Sequence, residues 1–99
     1  MSKLSIIIPC YNEEDVIAES YKRTKPVLDT LSCESEIIYI NDGSSDKTYE
    51  LLNDIAANDK DVKVLHFSRN FGHQPAVSAG IHYCDADWAI IMDADLQAG

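Results

Sequence analysis

Short apolar runs alternate with segments of helical periodicity along the whole chain. Four runs predict buried strands, because each is rich in aliphatic or β-branched residues and ends at polar or turn-forming residues. They lie at 4–8, 36–41, 62–68 and 88–92. The segments between them predict helices at 13–31, 46–58 and 75–84. We expect Pro26 to kink the first helix or begin a new turn, and Ser45 or Asp46 to cap the second.

The order β-α-β-α-β-α-β predicts an α/β fold. Near-continuous apolar strands indicate a mostly parallel sheet that is covered on both faces. Right-handed crossovers then give a three-layer α/β/α doubly wound architecture, here cut off after the fourth strand. A polar segment follows every predicted strand, at 9–13, 41–46, 68–73 and 93–95. Open parallel sheets bind ligands beyond the carboxyl ends of their strands, so we expect these segments to converge on one site.

Length and charge narrow the function. The 99 residues form one domain at most, and 17 acidic against 8 basic residues give a net charge of −9. This balance argues against a nucleic-acid partner, since such binding depends on clustered Lys and Arg. The sequence has no apolar run of the ~20 residues that a membrane span needs and no export signal, so we expect a cytoplasmic chain. The three cysteines are expected to be reduced and to act as small hydrophobic residues.

Asp93 and Asp95 follow the fourth predicted strand at a spacing of two. In extended backbone both carboxylates point to one side while Ala94 points away. Hard oxygen ligands so placed suit Mg²⁺ or Mn²⁺ on the phosphates of a nucleotide, and Gln97 could add a carbonyl oxygen. The alternative is a solvated acidic turn.

Four further residues are candidates for nucleotide contact. Asp42 follows the second strand directly, where a carboxylate can accept hydrogen bonds from a base or a ribose hydroxyl. Tyr11 could stack on a flat base. Glu13 could accept from that base or simply favour a helix start. Arg69 suits phosphate, its alternative being a surface ion pair. Ser44, Ser45 and Asp46 could form only a tight turn and a helix cap.

Several other functions lack their sequence signals. There is no GxGxxG after the first strand, no GxxxxGK[ST], no metal spacing of His with Cys and no GxSxG. A phosphohydrolase of the Asp-X-Asp type is disfavoured because its acidic pair generally follows the first strand, not the fourth. A non-catalytic nucleotide-binding or receiver-like module stays open as an alternative.

The polar segments resemble a known family. Residues 7–14 (IIPCYNEE), 40–46 (INDGSSD) and 93–97 (DADLQ) look like the nucleotide-sugar-binding half of family 2 glycosyltransferases with the GT-A fold. Residues 67–74 (FSRNFGHQ), with Ala76 and Gly80, are similar to the branch of dolichol-phosphate mannose synthases and bactoprenol glucosyltransferases. The resemblance implies transfer of a sugar from a nucleotide diphosphate, with UDP favoured and GDP-mannose as the other donor, to a polyprenyl phosphate. A saccharide acceptor in cell-wall or polysaccharide synthesis is the alternative.

The resemblance also implies roles for individual residues. Asp93 and Asp95 are the implied catalytic pair, and with Gln97 they would hold Mg²⁺ or Mn²⁺. The implied nucleotide contacts are Pro9, Tyr11, Glu13 and Asp42, with Arg69 near the phosphates or the metal loop.

Family members are two or three times this length, and their acceptor site and membrane helices follow the metal motif. Residues 1–99 are therefore expected to be an N-terminal nucleotide-sugar-binding fragment that binds nucleotide weakly and turns over little or nothing. The full-length protein is expected at the cytoplasmic face of the membrane, attached only through its missing C-terminal part.

Overall fold

The computed structural model describes residues 2–94, which form four strands and three helices in strict alternation. The strands and helices are, in chain order, β1 Lys3–Cys10, α1 Ile17–Asp29, β2 Glu34–Asn41, α2 Thr48–Asn58, β3 Val62–His66, α3 His73–Tyr83 and β4 Trp88–Ile91. No helix in this part of the chain is long and apolar enough to cross a membrane.

The strands form one parallel sheet in the order β3-β2-β1-β4. Cys10 pairs with Asn41 and Asn41 pairs with His66, so the first three strands end in line. β4 pairs with the first half of β1, and its last residue, Ile91, lies opposite Ile7. β2 and β3 lie on one side of β1, whereas β4 lies on its other side. This change of direction opens a crevice at the carboxyl edge between β1 and β4.

Each face of the sheet has its own core. Ile6, Ile8 and Tyr39 face α1 and α2, where they pack with buried Ile17 and Leu52. Residues of the opposite parity face α3 and pack with Ala76; they are Ile7, Ile38 and Ile40. The alternation of side chains along a strand therefore produces two apolar layers, and the predicted three-layer architecture is confirmed.

Gly80 allows α3 to lie close to the sheet. A Cβ at this position would come within 2.6 Å of Ile7 Cγ2 and 2.8 Å of Ile40 Cδ1. The close approach holds the first residue of α3, His73, near the carboxyl edge of the sheet.

The amino edge carries a buried carboxylate. The Glu36 side chain is 4% exposed and pairs with Lys63 at 3.0 Å and with Lys3 at 3.4 Å. Ser5 donates its hydroxyl to the same carboxylate at 2.5 Å. Burial alone would raise the pKa of Glu36, but the hydrogen bonds from Ser5 and Lys63 and the charges of the two lysines hold it below its ordinary value.

Several predicted boundaries were wrong. The first helix begins at Ile17 instead of residue 13, because Glu13 to Val16 form turns in which the Val16 and Ile17 amides donate to the Glu13 carbonyl. The same helix ends at Asp29 instead of residue 31, and Pro26 lies inside it. The third strand stops at His66, two residues early. Lys47 occupies the cap position of α2, although the Asp46 carboxylate accepts the Thr48 amide at 2.9 Å.

Candidate functional site

A cleft of about 360 Å³ lies at the carboxyl edge of the sheet, where polar segments after all four strands meet. We call it the carboxyl-edge cleft. It is lined by Pro9, Cys10, Tyr11, Glu13, Asp42, Asn70, Gly72, His73, Asp93 and Ala94. The convergence predicted from the sequence is confirmed for residues from each of the four segments.

Asn12 joins the first segment to the second. Its backbone has a φ of 51°, the left-handed conformation that Asn tolerates better than most residues. In this conformation its amide donates to Ser44 Oγ at 2.9 Å, and its Oδ1 accepts the Ser45 amide at 2.8 Å. The Glu13 amide donates to Thr48 Oγ1, also at 2.9 Å. The backbone that carries Tyr11 and Glu13 is thus held against the entry to α2.

Asn41 connects the same region to β3. Its Oδ1 accepts the Ser44 amide at 3.0 Å, and its Nδ2 donates to His66 Nδ1 at 3.0 Å. His66 therefore carries its proton on Nε2, which donates to Asn53 Oδ1 at 2.9 Å. Burial, partly against the Tyr49 ring at 4.0 Å between centroids, lowers the pKa of His66. Protonation at Nδ1 would place two donors face to face and break the bond to Asn41.

Asp42 joins the second segment to the third. It is 4% exposed, and its Oδ1 accepts the Phe71 amide at 2.7 Å. Its Oδ2 accepts the Gly72 amide and Asn70 Nδ2, both at 3.0 Å. The carboxylate thereby fixes a stretch of backbone about 30 residues further along the chain, with Gly72 at a φ of 106°.

Gly43 makes that contact sterically feasible. Its φ of 69° is in the left-handed region, and a Cβ there would lie 2.1 Å from the Arg69 carbonyl carbon and 2.4 Å from the Asn70 nitrogen. Only glycine lets the two backbones approach this closely.

Arg69 lies beside the cleft and is absent from its lining. The side chain is exposed, and its guanidinium carbon sits 4.4 Å from the centroid of the Phe71 ring. This cation–π contact restrains the guanidinium next to the third segment. Arg69 therefore has a defined place near the cleft and is free of any carboxylate pairing in the described ion pairs.

Asp93 lies in the cleft just after β4, and its predicted alternation with Asp95 stays a prediction. Asp93 is exposed to the cleft, whereas the next residue, Ala94, is 2% exposed and packs in the core with Cys10. Asp95 and Gln97 lie outside the described residues. Within residues 2–94, no group of three His, Cys, Asp or Glu side chains could hold a metal ion.

Cys10 contributes packing to the cleft floor. Burial first, and then the Glu13 carboxylate, raise the pKa of its thiol well above the ordinary range. The thiol is therefore protonated near neutral pH and is a poor nucleophile. All three cysteines are free, as the sequence predicted.

Comparison with known proteins identifies the family. Residues 5–98 match the family model "Glycosyl transferase family 2". The chain belongs to glycosyltransferase family 2. It is 46% identical over 93 residues to the uncharacterized glycosyltransferase YkcC of Bacillus subtilis, covering 94% of this chain and 29% of that protein. It is 42% identical over 95 residues to the prophage bactoprenol glucosyl transferase homolog of Escherichia coli, covering 96% and 31%.

The fold of this family 2 chain also matches solved structures. The mannosyltransferase PcManGT of Pyrobaculum calidifontis, solved in complex with GDP-Man and Mn²⁺, superposes with a TM-score of 0.82 at 21% identity, covering 95% of this chain and 28% of that one. The chain spans about 30% of the length of the B. subtilis and E. coli relatives.

The carboxyl-edge cleft brings together most of the predicted residues. Pro9, Tyr11, Glu13, Asp42 and Asp93 line one cleft. The sequence placed segment 68–73 at the site but gave no individual role to Asn70, Gly72 or His73, which line the cleft. Their position after a predicted strand was the available signal, but nothing in the sequence marks the backbone amides of 71 and 72 as partners of Asp42.

Proposed function

We propose that this family 2 chain is the nucleotide-sugar-binding part of an enzyme that transfers a sugar from a nucleotide diphosphate to a polyprenyl phosphate. The observation that carries the proposal is the carboxyl-edge cleft itself. It combines an exposed aromatic ring, Tyr11, with the carboxylates of Glu13 and Asp42, and Asp93 lies in the same cleft. A nucleotide needs these components: a surface for its base, acceptors for its base or ribose, and anionic ligands for a diphosphate-bound cation.

In this proposal the nucleoside lies against Pro9, Tyr11 and Glu13. The Tyr11 side chain is 48% exposed, which leaves its ring accessible for stacking on a base. Direct contact of the nucleoside with Asp42 stays a prediction, since the cleft exposes only a small part of that side chain. Arg69, next to the cleft, is proposed to attract the diphosphate.

Asp93, Asp95 and Gln97 are proposed to hold Mg²⁺ or Mn²⁺. The donor chemistry fits, because carboxylate and amide oxygens are hard ligands, and the exposed Asp93 side chain lies in the cleft. When bound, the cation supplies positive charge that stabilises the departing nucleotide diphosphate.

The proposed reaction is an inverting displacement at the anomeric carbon. An oxygen of the acceptor phosphate forms the new bond as the bond to the nucleotide diphosphate breaks. The acceptor is already anionic near neutral pH, so a strong general base is unnecessary. The residues of the carboxyl-edge cleft bind and orient the donor, and the acceptor site is proposed to lie in the remainder of the enzyme, at the cytoplasmic face of the membrane.

The polyprenyl phosphate acceptor is supported by the name of the E. coli relative, which is a bactoprenol glucosyl transferase homolog. A saccharide acceptor is the alternative within the family. A UDP-sugar is the favoured donor and GDP-mannose the other candidate.

Calorimetric titration tests the donor site. The chain is titrated with UDP and with GDP, each with and without Mn²⁺, and the titrations are repeated on Asp95→Ala. Asp54→Ala, an exposed position on α2, is the matched control. We expect metal-dependent binding of one nucleotide that the Asp95 variant loses and the control retains. Binding of neither nucleotide by a folded chain, or equal binding with and without Mn²⁺, would count against the proposal.

A transfer assay on a full-length protein containing this chain tests the reaction. Labelled UDP-glucose or GDP-mannose is incubated with a short-chain polyprenyl phosphate or with a soluble saccharide. Label in the lipid fraction supports the proposal, and label only in the saccharide supports the alternative acceptor. Nucleotide binding without transfer to either acceptor would indicate a non-catalytic module.

A further inference from the structure

The Asp42 carboxylate uses most of its hydrogen-bonding capacity inside the protein. An ionised carboxylate offers about four acceptor positions, and three are taken by the Phe71 amide, the Gly72 amide and Asn70 Nδ2. Asn70 Nδ2 also donates to the Asp42 carbonyl oxygen at 3.2 Å. Two successive backbone amides that converge on one carboxylate are a geometry that proteins use to hold anions. Here the anion is a side chain of the protein itself.

The backbone held in this way forms one wall of the carboxyl-edge cleft. Asn70, Gly72 and His73 line the cleft, and their sequence neighbours Arg69 and Phe71 make a cation–π contact with each other. His73 also lines an adjoining hollow with Ile91 of β4. Because Ile91 is the last residue of β4, this shared hollow places His73 on the side of the cleft where Asp93 follows β4.

We infer that Asp42 is a positioning residue for the phosphate end of the cleft. Its carboxylate holds residues 70–72 so that the side chains of Arg69 and His73 are presented to the diphosphate of the nucleotide. The inference rests on the proposed function and adds a role that acts through other residues. It differs from direct contact with the nucleoside, which the sequence predicted for Asp42.

Charge makes the two roles distinguishable. Replacing Asp42 by Asn removes one negative charge from the neighbourhood of an anionic ligand, so through-space electrostatics alone would strengthen binding of a diphosphate. The replacement also puts an amide NH₂ where an acceptor is needed, facing either the Phe71 or the Gly72 amide. If Asp42 is a positioning residue, Asp42→Asn should bind the nucleoside diphosphate more weakly, although electrostatics alone would strengthen that binding. Its affinity for an uncharged nucleoside should change little.

The experiment compares UDP with uridine, and GDP with guanosine, in the presence of Mn²⁺ by calorimetry. The variants are Asp42→Asn, Asn70→Ala and the double variant Arg69→Ala/His73→Ala with and without Asp42→Asn. Asn70 is exposed, so we expect Asn70→Ala to fold. It therefore tests the same carboxylate even if Asp42→Asn does not fold. Asp54→Asn on α2 controls for the loss of one negative charge.

We expect Asp42→Asn to weaken nucleotide binding about tenfold and nucleoside binding less than about twofold. Asn70→Ala should weaken nucleotide binding about threefold in the same pattern. In the Arg69→Ala/His73→Ala background the Asp42 change should have less than about a twofold effect, because the residues through which it acts are gone. Equal losses for nucleotide and nucleoside, or stronger nucleotide binding, would overturn the inference.

A ligand-independent measurement separates this inference from the proposed function. If the unaltered protein binds neither UDP nor GDP, the proposed function fails. Hydrogen exchange of the Phe71 and Gly72 amides still reports on the loop, and it should be at least about tenfold faster in Asp42→Asn. Unchanged exchange at these two amides would overturn the positioning role regardless of any ligand.

Discussion

Replacement of Gly43 by Ala should be among the most destabilising single changes in this chain. Two independent costs apply at this position. A non-glycine residue at a φ of 69° costs about 1–2 kcal/mol in backbone strain. The new Cβ would also lie 2.1 Å from the Arg69 carbonyl carbon, so the third segment must retreat by about 1.3 Å to reach ordinary contact.

That retreat sets the larger part of the cost. The Asp42 carboxylate reaches the Phe71 amide at 2.7 Å and the Gly72 amide at 3.0 Å, and neither bond survives such a displacement. Leaving a buried carboxylate without its partners costs about 3 kcal/mol or more. The sum is about 4–5 kcal/mol, which is a large share of the about 5–15 kcal/mol that stabilises a domain of this kind.

Urea denaturation followed by circular dichroism measures this free energy of unfolding. Gly72→Ala is the control, because its φ of 106° carries strain but a Cβ there would meet only Pro75 Cδ, at 3.8 Å. We expect about 1–3 kcal/mol for the control. Gly43→Asn should recover at most the backbone strain, about 1–2 kcal/mol, since Asn tolerates the left-handed region but keeps the Cβ. A Gly43→Ala cost no greater than that of Gly72→Ala would refute the steric argument.

Two pH dependences follow from the partly buried His66 and the buried Glu36. Because burial lowers the pKa of His66, the unfolded chain takes up its proton first, and stability should fall as pH drops below about 6.5, by up to about 1.4 kcal/mol per pH unit. His66→Gln should remove this pH dependence of stability in urea titrations between about pH 5 and 7.5. An unchanged slope would show that another titratable group causes it. Because the pKa of Glu36 is lowered, its contribution is present above about pH 4.5 and is lost as pH falls through the folded value. Glu36→Gln should cost about 1–2 kcal/mol of stability at pH 7 and weaken the loss of stability at acid pH. Glu19→Gln, in an exposed pair with Arg23, should change stability by less than about 0.5 kcal/mol. Equal effects of the two changes would contradict this account.

The arrangement of strands and the location of the cleft could be predicted from local patterns. Buried strands such as 36–41 are marked by continuous aliphatic residues, and the rule that parallel strands present their carboxyl ends at one edge then places Tyr11, Asp42 and Asp93 together. Both steps need only the sequence near each residue and a general rule of topology.

The bonding of the cleft could not be predicted in the same way. Asp42 accepts hydrogen bonds from backbone amides some 30 residues away. Every residue except proline has such an amide, so the residue types in the sequence cannot identify these partners. The start of α1 was misjudged for a related reason. Residues 13–16 have helix-compatible composition, but the Glu13 amide is committed to Thr48 Oγ1, a tertiary contact that local propensity does not contain.

In the segments around the cleft, side chains and backbone make different contributions to the bonds between segments. This difference affects how the site can evolve. Most of the bonds that lock the segments together run from a main-chain amide to a side-chain oxygen. The amides belong to residues 12, 13, 14, 44, 45, 48, 71 and 72, and the oxygens to Asn12, Asn41, Asp42, Ser44, Asp46 and Thr48. Amide-donating positions whose own side chains make none of these bonds, such as 13, 14 and 71, can exchange their side chains, proline excepted, without breaking these bonds. Side chains of the cleft that make none of these bonds can thus change during evolution, while a small set of polar acceptors keeps the architecture constant.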